Sequence, residues 1–223
     1  VEGTLNVLKA CQQVGGVRCV VVTSCLISVS GMHNKPGHGP YTEKDWADMT
    51  DKNAILYEKS KVRAKKVAWD FMEELPADQK FELVVLNPGY ISGPVLCGGS
   101  VASMEVPRRL LNKEMPMIAN VSFPSVDVRD VAKAHVIAMT HPDIAGQRIL
   151  LVTETITFPQ IANWLSEEFK PQGYNVPTSV APYWMMWIFS WWDKDIGILL
   201  PGINNPIIVG STKMREVLGI EPV

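Results

Sequence analysis

Apolar residues at the start of the chain fall at helical spacing. Val1, Leu5 and Leu8 share one face, and Thr4, Val7 and Cys11 share the next. Gly15-Gly16 stops that helix. Arg18-Cys19-Val20-Val21-Val22-Thr23-Ser24 is a β-branched run without polar alternation, the pattern of a strand buried on both faces. Residues 30–52 are polar and interrupted by Gly31, Pro36, Gly37, Gly39 and Pro40, which predicts a loop. A helix is expected from Asn53 to Leu75, ended by Pro76. Phe81 to Leu86 reads as a second buried strand, closed by Asn87-Pro88-Gly89. Helix, strand, helix, strand in this order predicts a parallel sheet crossed by helices.

Past Gly93-Pro94 the texture changes. Cys97-Gly98-Gly99-Ser100 reads as a loop and Val106 to Asn112 as a short helix. Pro124 to Val128 is extended and leads into a helix from Arg129 to Met139. Arg148 to Val152 is a further short strand. Thr157 caps a helix that carries Pro159 in its first turn and runs to Phe169. The segment Tyr183 to Trp192 holds Trp184, Trp187, Trp191 and Trp192 and is too short to span a bilayer. Packing in the core or around a pocket is its favoured reading, over contact with a membrane interface or with a second copy in a homodimer.

Composition narrows the classes. With 223 residues and 47% hydrophobic content, the chain can bury one substantial core plus a small lobe. The net charge is −2 with no basic block, which argues against nucleic acid as a partner. Cys11, Cys19, Cys25 and Cys97 make no CxxC pair and no zinc spacing, so no metal is expected and reduced thiols of a cytoplasmic protein are. The first helix has no N-cap ahead of it, which leads us to expect a piece of a longer protein.

Tyr57 and Lys61 lie four residues apart in the predicted 53–75 helix and so project from one face. An ammonium beside a phenol favours phenolate and draws its pKa below the usual value of about 10. Such a phenol exchanges a proton with a carbonyl or alcohol oxygen. The spacing alone is common on surface helices, so its neighbours decide its meaning.

Those neighbours are Val1-Glu2-Gly3-Thr4-Leu5-Asn6-Val7-Leu8-Lys9-Ala10, the strand ending in Thr23-Ser24-Cys25, Asn87-Pro88-Gly89 with Gly93-Pro94, and Val126-Asp127-Val128-Arg129-Asp130-Val131-Ala132. With the Tyr57/Lys61 pair, in this order, they resemble the extended short-chain dehydrogenase/reductases over nearly the whole chain. The similar branch holds dihydroflavonol reductase, cinnamoyl-CoA reductase and 3β-hydroxysteroid dehydrogenase. The resemblance implies an α/β fold: the C-terminal part of a Rossmann-like, doubly wound parallel sheet and a smaller C-terminal α/β substrate lobe. Residues 1–94 would be the second half of the dinucleotide-binding domain. Residues 95–223 would be mainly substrate lobe, with 121–153 partly returning to the sheet.

It also implies roles. Tyr57 would be the general acid/base, and Lys61 would bind the nicotinamide ribose and tune Tyr57. A hydroxyl after the first strand would bond the reacting oxygen: Ser24 is the leading candidate, with Ser28 and Cys25 open. Thr23, Pro88, Gly89, Ile91 and Ser103 would border NADP or NAD together with Tyr57 and Lys61. Two departures stand out. Cys25 occupies the position of the branch's usual catalytic serine, and a thiol is a poor donor. The Gly-x-x-Gly-x-x-Gly phosphate turn is absent, so the fragment alone is expected to be inactive. His135 reads as structural, and Asp127 and Arg129 as a tie between the lobes. The implied function is NAD(P)-dependent interconversion of a carbonyl and a secondary alcohol on an apolar small molecule. A sugar-nucleotide epimerase or dehydratase and a non-catalytic binding or scaffold protein are the alternatives.

Overall fold

The computed structural model describes every residue except 36, 37, 97, 99 and 100. Pro36 and Gly37 of the polar loop, and all of Cys97-Gly98-Gly99-Ser100 but Gly98, therefore lie outside the described residues.

A parallel sheet is built from β1 (Cys19–Thr23), β2 (Glu82–Pro88) and β5 (Arg148–Leu151), in the order β1-β2-β5. Side chains alternate across β2 and decide what covers each face. Val84 and Leu86 meet Val131, Ala134 and Ala138 of α5 (Val128–Ala138), with Met214, Leu218 and Ile220 from the C-terminal segment. Leu83 and Val85 point the other way, to Leu8 of α1 (Glu2–Val14) and Ala68 of α3 (Leu56–Glu74). Helices thus cover both faces, the three-layer arrangement that a buried parallel sheet requires. Between β1 and α3 comes the single turn of α2 (Ile27–Ser30).

A second sheet joins β3 (Tyr90–Ser92) in parallel to β4 (Ser122–Asp127), and β4 in antiparallel to β6 (Glu154–Thr157). Its core gathers Leu110 of α4 (Glu105–Leu111), Phe158, Ile161 and Ala162 of α6 (Phe158–Phe169), and Met186 of α7 (Tyr183–Phe189). Thr157 caps α6 in a reciprocal box with Gln160, as its sequence predicts. Two short helices, α8 (Lys194–Leu199) and α9 (Lys213–Glu216), complete the chain.

Gly89 is the hinge point between the sheets. Its N–H donates to Leu151 O of the first sheet at 3.0 Å. A Cβ there would stand 2.1 Å from Pro124 O of the second, so only glycine fits. Gly93 is held at φ +126°, where a side chain would also press on Val128 Cγ1 at 2.9 Å.

The aromatic segment departs from the expected core packing. On α7 Met186 is buried while Trp184 and Trp187 are exposed, and Trp191 and Trp192 just beyond it are exposed too, the last at 76%. A seven-residue helix turns only one stripe to its lobe. The indoles meet one another instead, with Trp187 and Trp191 edge to face at 4.8 Å. Among the described residues no helix is long and apolar enough to cross a membrane.

Candidate active site

The site gathers at the ends of β1 and β2 and on the first turns of α3. Tyr57 stands in the first turn of α3, half exposed at 49%. Lys61 follows one turn on, its Nζ 5.6 Å from the centre of the Tyr57 ring. The Cys25 thiol is near enough to the phenol to act on its ionisation. Partial burial, then charge on Cys25, push the Tyr57 pKa up to about 12. This reverses the direction expected from Lys61 alone. Desolvation penalises phenolate, and a sulfur neighbour adds repulsion that the helical spacing does not reveal.

Ser24 goes elsewhere. Its N–H donates to Leu86 O at 2.8 Å, which fixes the strand end. Its hydroxyl is buried 3.2 Å from Ser28 Oγ. Adjacent residues of an extended chain face opposite ways, so the strand end that turns Cys25 to Tyr57 turns Ser24 inward. Ser28 Oγ in turn reaches Cys25 O at 2.7 Å and Asn87 Oδ1 at 3.3 Å. Lys65 closes this buried group, its Nζ 2.7 Å from Ser28 Oγ. Of the three candidates for the third reactive side chain, Cys25 is the one brought to Tyr57.

The expected cofactor-contacting residues separate into three places. Thr23 Oγ1 pairs with His135 Nε2 at 2.7 Å, and His135 Nδ1 with Val131 O at 2.8 Å, so both are tied into α5. Pro88, Gly89 and Ile91 run along the junction of the sheets, where Pro88 O accepts from Leu26 N–H at 2.8 Å. Ser103 lies in a 3-10 turn over Ala102–Met104, where its carbonyl accepts the Tyr90 hydroxyl. Asp127 is held by Arg129, whose Nε and Nη2 each donate at 2.8 Å, and this pulls its carboxyl down to about 2.

Sequence reasoning missed Lys65, Asn87 and Glu58 as members of the site. Glu58 follows Tyr57 in the chain but is buried, and that burial raises its pKa. Lys65 carried a readable signal: it is eight residues from Tyr57 and four from Lys61, on the same helical face.

A nicotinamide cofactor fits the open half of this site. The Tyr57 hydroxyl and the Lys61 ammonium are donors on one accessible face, suited to ribose oxygens. Among the described residues a pyrophosphate cradle has no counterpart: β1 passes to α2 and β4 to α5 without a glycine turn. A cavity of about 310 Å³ opens beside the segment ahead of α3, lined by His33, Asn53, Ser190, Lys194 and Gly197. A larger one, about 990 Å³, lies along α3 and β5 against Trp46, Trp69 and Arg148, and neither Tyr57 nor Lys61 lines it.

Fold and site together define a short-chain dehydrogenase/reductase of the extended type. The comparisons with known proteins agree, and the chain belongs to that family. It is similar to an uncharacterised oxidoreductase of Saccharomyces cerevisiae, YGL039W, at 33% identity over 189 residues, covering 76% of this chain and 53% of that protein. The NADPH-dependent methylglyoxal reductase GRE2 of the same yeast matches at 30% identity over 189 residues, covering 79% of this chain and 55% of the relative. The crystal structure of Gre2 from Candida albicans in complex with NADPH superposes with a TM-score of 0.77 at 30% identity, over all of this chain and 65% of that one. The chain thus spans about half the length of the curated relatives it matches. No family model matches it.

Proposed function

We propose that this chain carries the proton-transfer and substrate half of an NADPH-dependent carbonyl reductase. The observation that carries the reading is the Tyr57 hydroxyl, held protonated on an open face with Lys61 beside it. When bound, the nicotinamide supplies a hydride to the carbonyl carbon. Tyr57 then gives its proton to the carbonyl oxygen as negative charge develops there, and the product is the alcohol. A phenol at about 12 keeps that proton through the neutral range and so stands ready as the donor in the reduction. Lys61 binds ribose hydroxyls and lowers the cost of the transient phenolate. Cys25 lies near the phenol, at the position where relatives of this branch place the hydroxyl that orients the substrate. NADPH is preferred to NADH in this reading because the relatives named above are described as NADPH-dependent or bound to NADPH.

The substrate is a small apolar carbonyl compound. Few basic side chains cluster in the second lobe, and Arg108 is already committed to Glu105 and Glu114, which disfavours a nucleotide sugar diphosphate. Cytoplasmic residence is supported by the free thiols of Cys11, Cys19 and Cys25. Retention of Tyr57 with Lys61 weighs against a purely non-catalytic module. The test is NADPH oxidation by the whole protein across a panel of aldehydes and ketones, with Tyr57→Phe as the control. Turnover that Tyr57→Phe abolishes is expected. NADPH binding with no turnover on any carbonyl would leave the binding module as the better reading.

A further inference from the structure

Lys65 is the largest side chain wholly inside the molecule, 1% exposed. Among the described residues no carboxylate pairs with it. Its Nζ instead faces three acceptors: Ser28 Oγ at 2.7 Å, Ser28 O at 3.2 Å and Asn87 Oδ1 at 3.4 Å. An ammonium has three N–H donors, so the charged form is matched donor for acceptor. The Trp46 ring adds a π surface 4.3 Å away. Against this stands Arg148 on β5, 4.2 Å from the same ring. Burial, with the Arg148 charge second, pulls Lys65 down to about 7. The other charged or titratable neighbours are the Cys25 thiol, which favours the ammonium, and Lys66, 5.6 Å from the Trp46 ring. Lys61 lies one turn away on α3, while Glu43 and Asp45 act on Arg148.

Ser28 has one hydroxyl hydrogen; Cys25 O at 2.7 Å is nearer to it than Ser24 Oγ at 3.2 Å or Asn87 Oδ1 at 3.3 Å, and a neutral Lys65 amine would compete with Cys25 O. While Lys65 is an ammonium it donates to Ser28 Oγ, and the hydroxyl hydrogen is free for Cys25 O at 2.7 Å. A neutral amine has a lone pair to offer, and the hydroxyl can turn to it. Cys25 O is then left with the Ser28 N–H at 3.1 Å. We propose that Lys65 is a positioning residue of the reaction: as an ammonium it makes Ser28 clamp the Cys25 carbonyl, and so holds the thiol that lies near the Tyr57 hydroxyl. The inference rests on Tyr57 being the proton donor.

Three variants of the whole protein test it. Lys65→Met lowers kcat about tenfold, the equivalent of one hydrogen bond in the transition state, with KM and NADPH affinity within about twofold. It also removes the fall in kcat that the parent shows as pH rises through the neutral range. Lys65→Gln offers an acceptor to Ser28, as a neutral amine does, and gives the parent's high-pH rate at every pH. Ser28→Ala gives the same loss, and adding it to Lys65→Met costs nothing more. Parental kcat and pH profile in Lys65→Met, or additive losses in the double variant, overturn the proposal.

A second measurement needs no turnover. A lysine whose proton affinity is lower folded than unfolded leaves the unfolded chain with more bound protons between about pH 7 and about pH 10.5, so stability rises with pH across that window. The parent's melting temperature follows this rise and Lys65→Met lacks it. A parent that melts like Lys65→Met at every pH sinks the inference even if carbonyls are reduced. Absence of turnover with the rise intact strikes the reductase reading instead.

Discussion

Tyr57 and Lys65 ride the same face of one helix, eight residues and roughly 12 Å apart, yet their surroundings are opposite. Tyr57 opens to solvent beside Lys61, whereas Lys65 is sealed beneath Trp46 and the α2 turn. Burial acts on both by one rule, since it disfavours whichever form is charged. It raises the phenol, which then keeps a proton to give. It lowers the ammonium, which then holds its proton only through hydrogen bonds. One helix therefore presents a proton donor at its open end and a titratable anchor at its closed end. The difference arises from what the neighbouring loop covers, not from spacing along the helix.

The comparison can be broken first at the open end. Tyr57→Phe should lower kcat by about 10²- to 10⁴-fold with NADPH affinity retained, as read by steady-state rates and nicotinamide fluorescence. A loss confined to KM would make Tyr57 a binding residue only. At the closed end, Asn87→Ala removes an acceptor of Lys65 and Ser28 inside the core. It should cost about 1–3 kcal/mol in denaturant unfolding. Between the two ends, Cys25→Ser replaces a weak donor by a strong one against the phenol and should raise kcat by up to about tenfold. An unchanged rate would mean that the side chain at this position does not reach the reacting oxygen. The smallest effect is expected from Trp46→Leu. Loss of the ring facing Lys65 should cost about 0.5–2 kcal/mol and move the neutral-range fall in kcat to lower pH, because the ammonium loses a partner.

Much of this was legible in the sequence where elements are long. The β-branched run became β1, and the expected strand at Phe81 to Leu86 became β2, extended to Pro88 by pairing with β5. The helix expected from Asn53 starts at Leu56, because Asp51 folds residues 51–54 into a turn with its side chain accepting the Asn53 N–H at 2.8 Å. Strands β3 and β6, of three and four residues, carry too few positions for any period to show and were not foreseen. At the site, spacing singled out Tyr57 and Lys61, and the motifs around them in the resemblance gave them their roles. The inward turn of Ser24, the nearness of Cys25 to Tyr57 and the burial of Lys65 depend on how the loop after β1 folds over α3, which no local pattern encodes. The raised phenol pKa follows from that same covering.

Gly89 sets a dimension that no side-chain contact sets. The chain crosses from one sheet to the other at a point where even a methyl group would collide with Pro124 O. The clearance between the two halves is thus defined by an atom that is not there. Any larger residue acts as a wedge between β2 and β4, so a single alanine at this point changes the spacing of the two sheets.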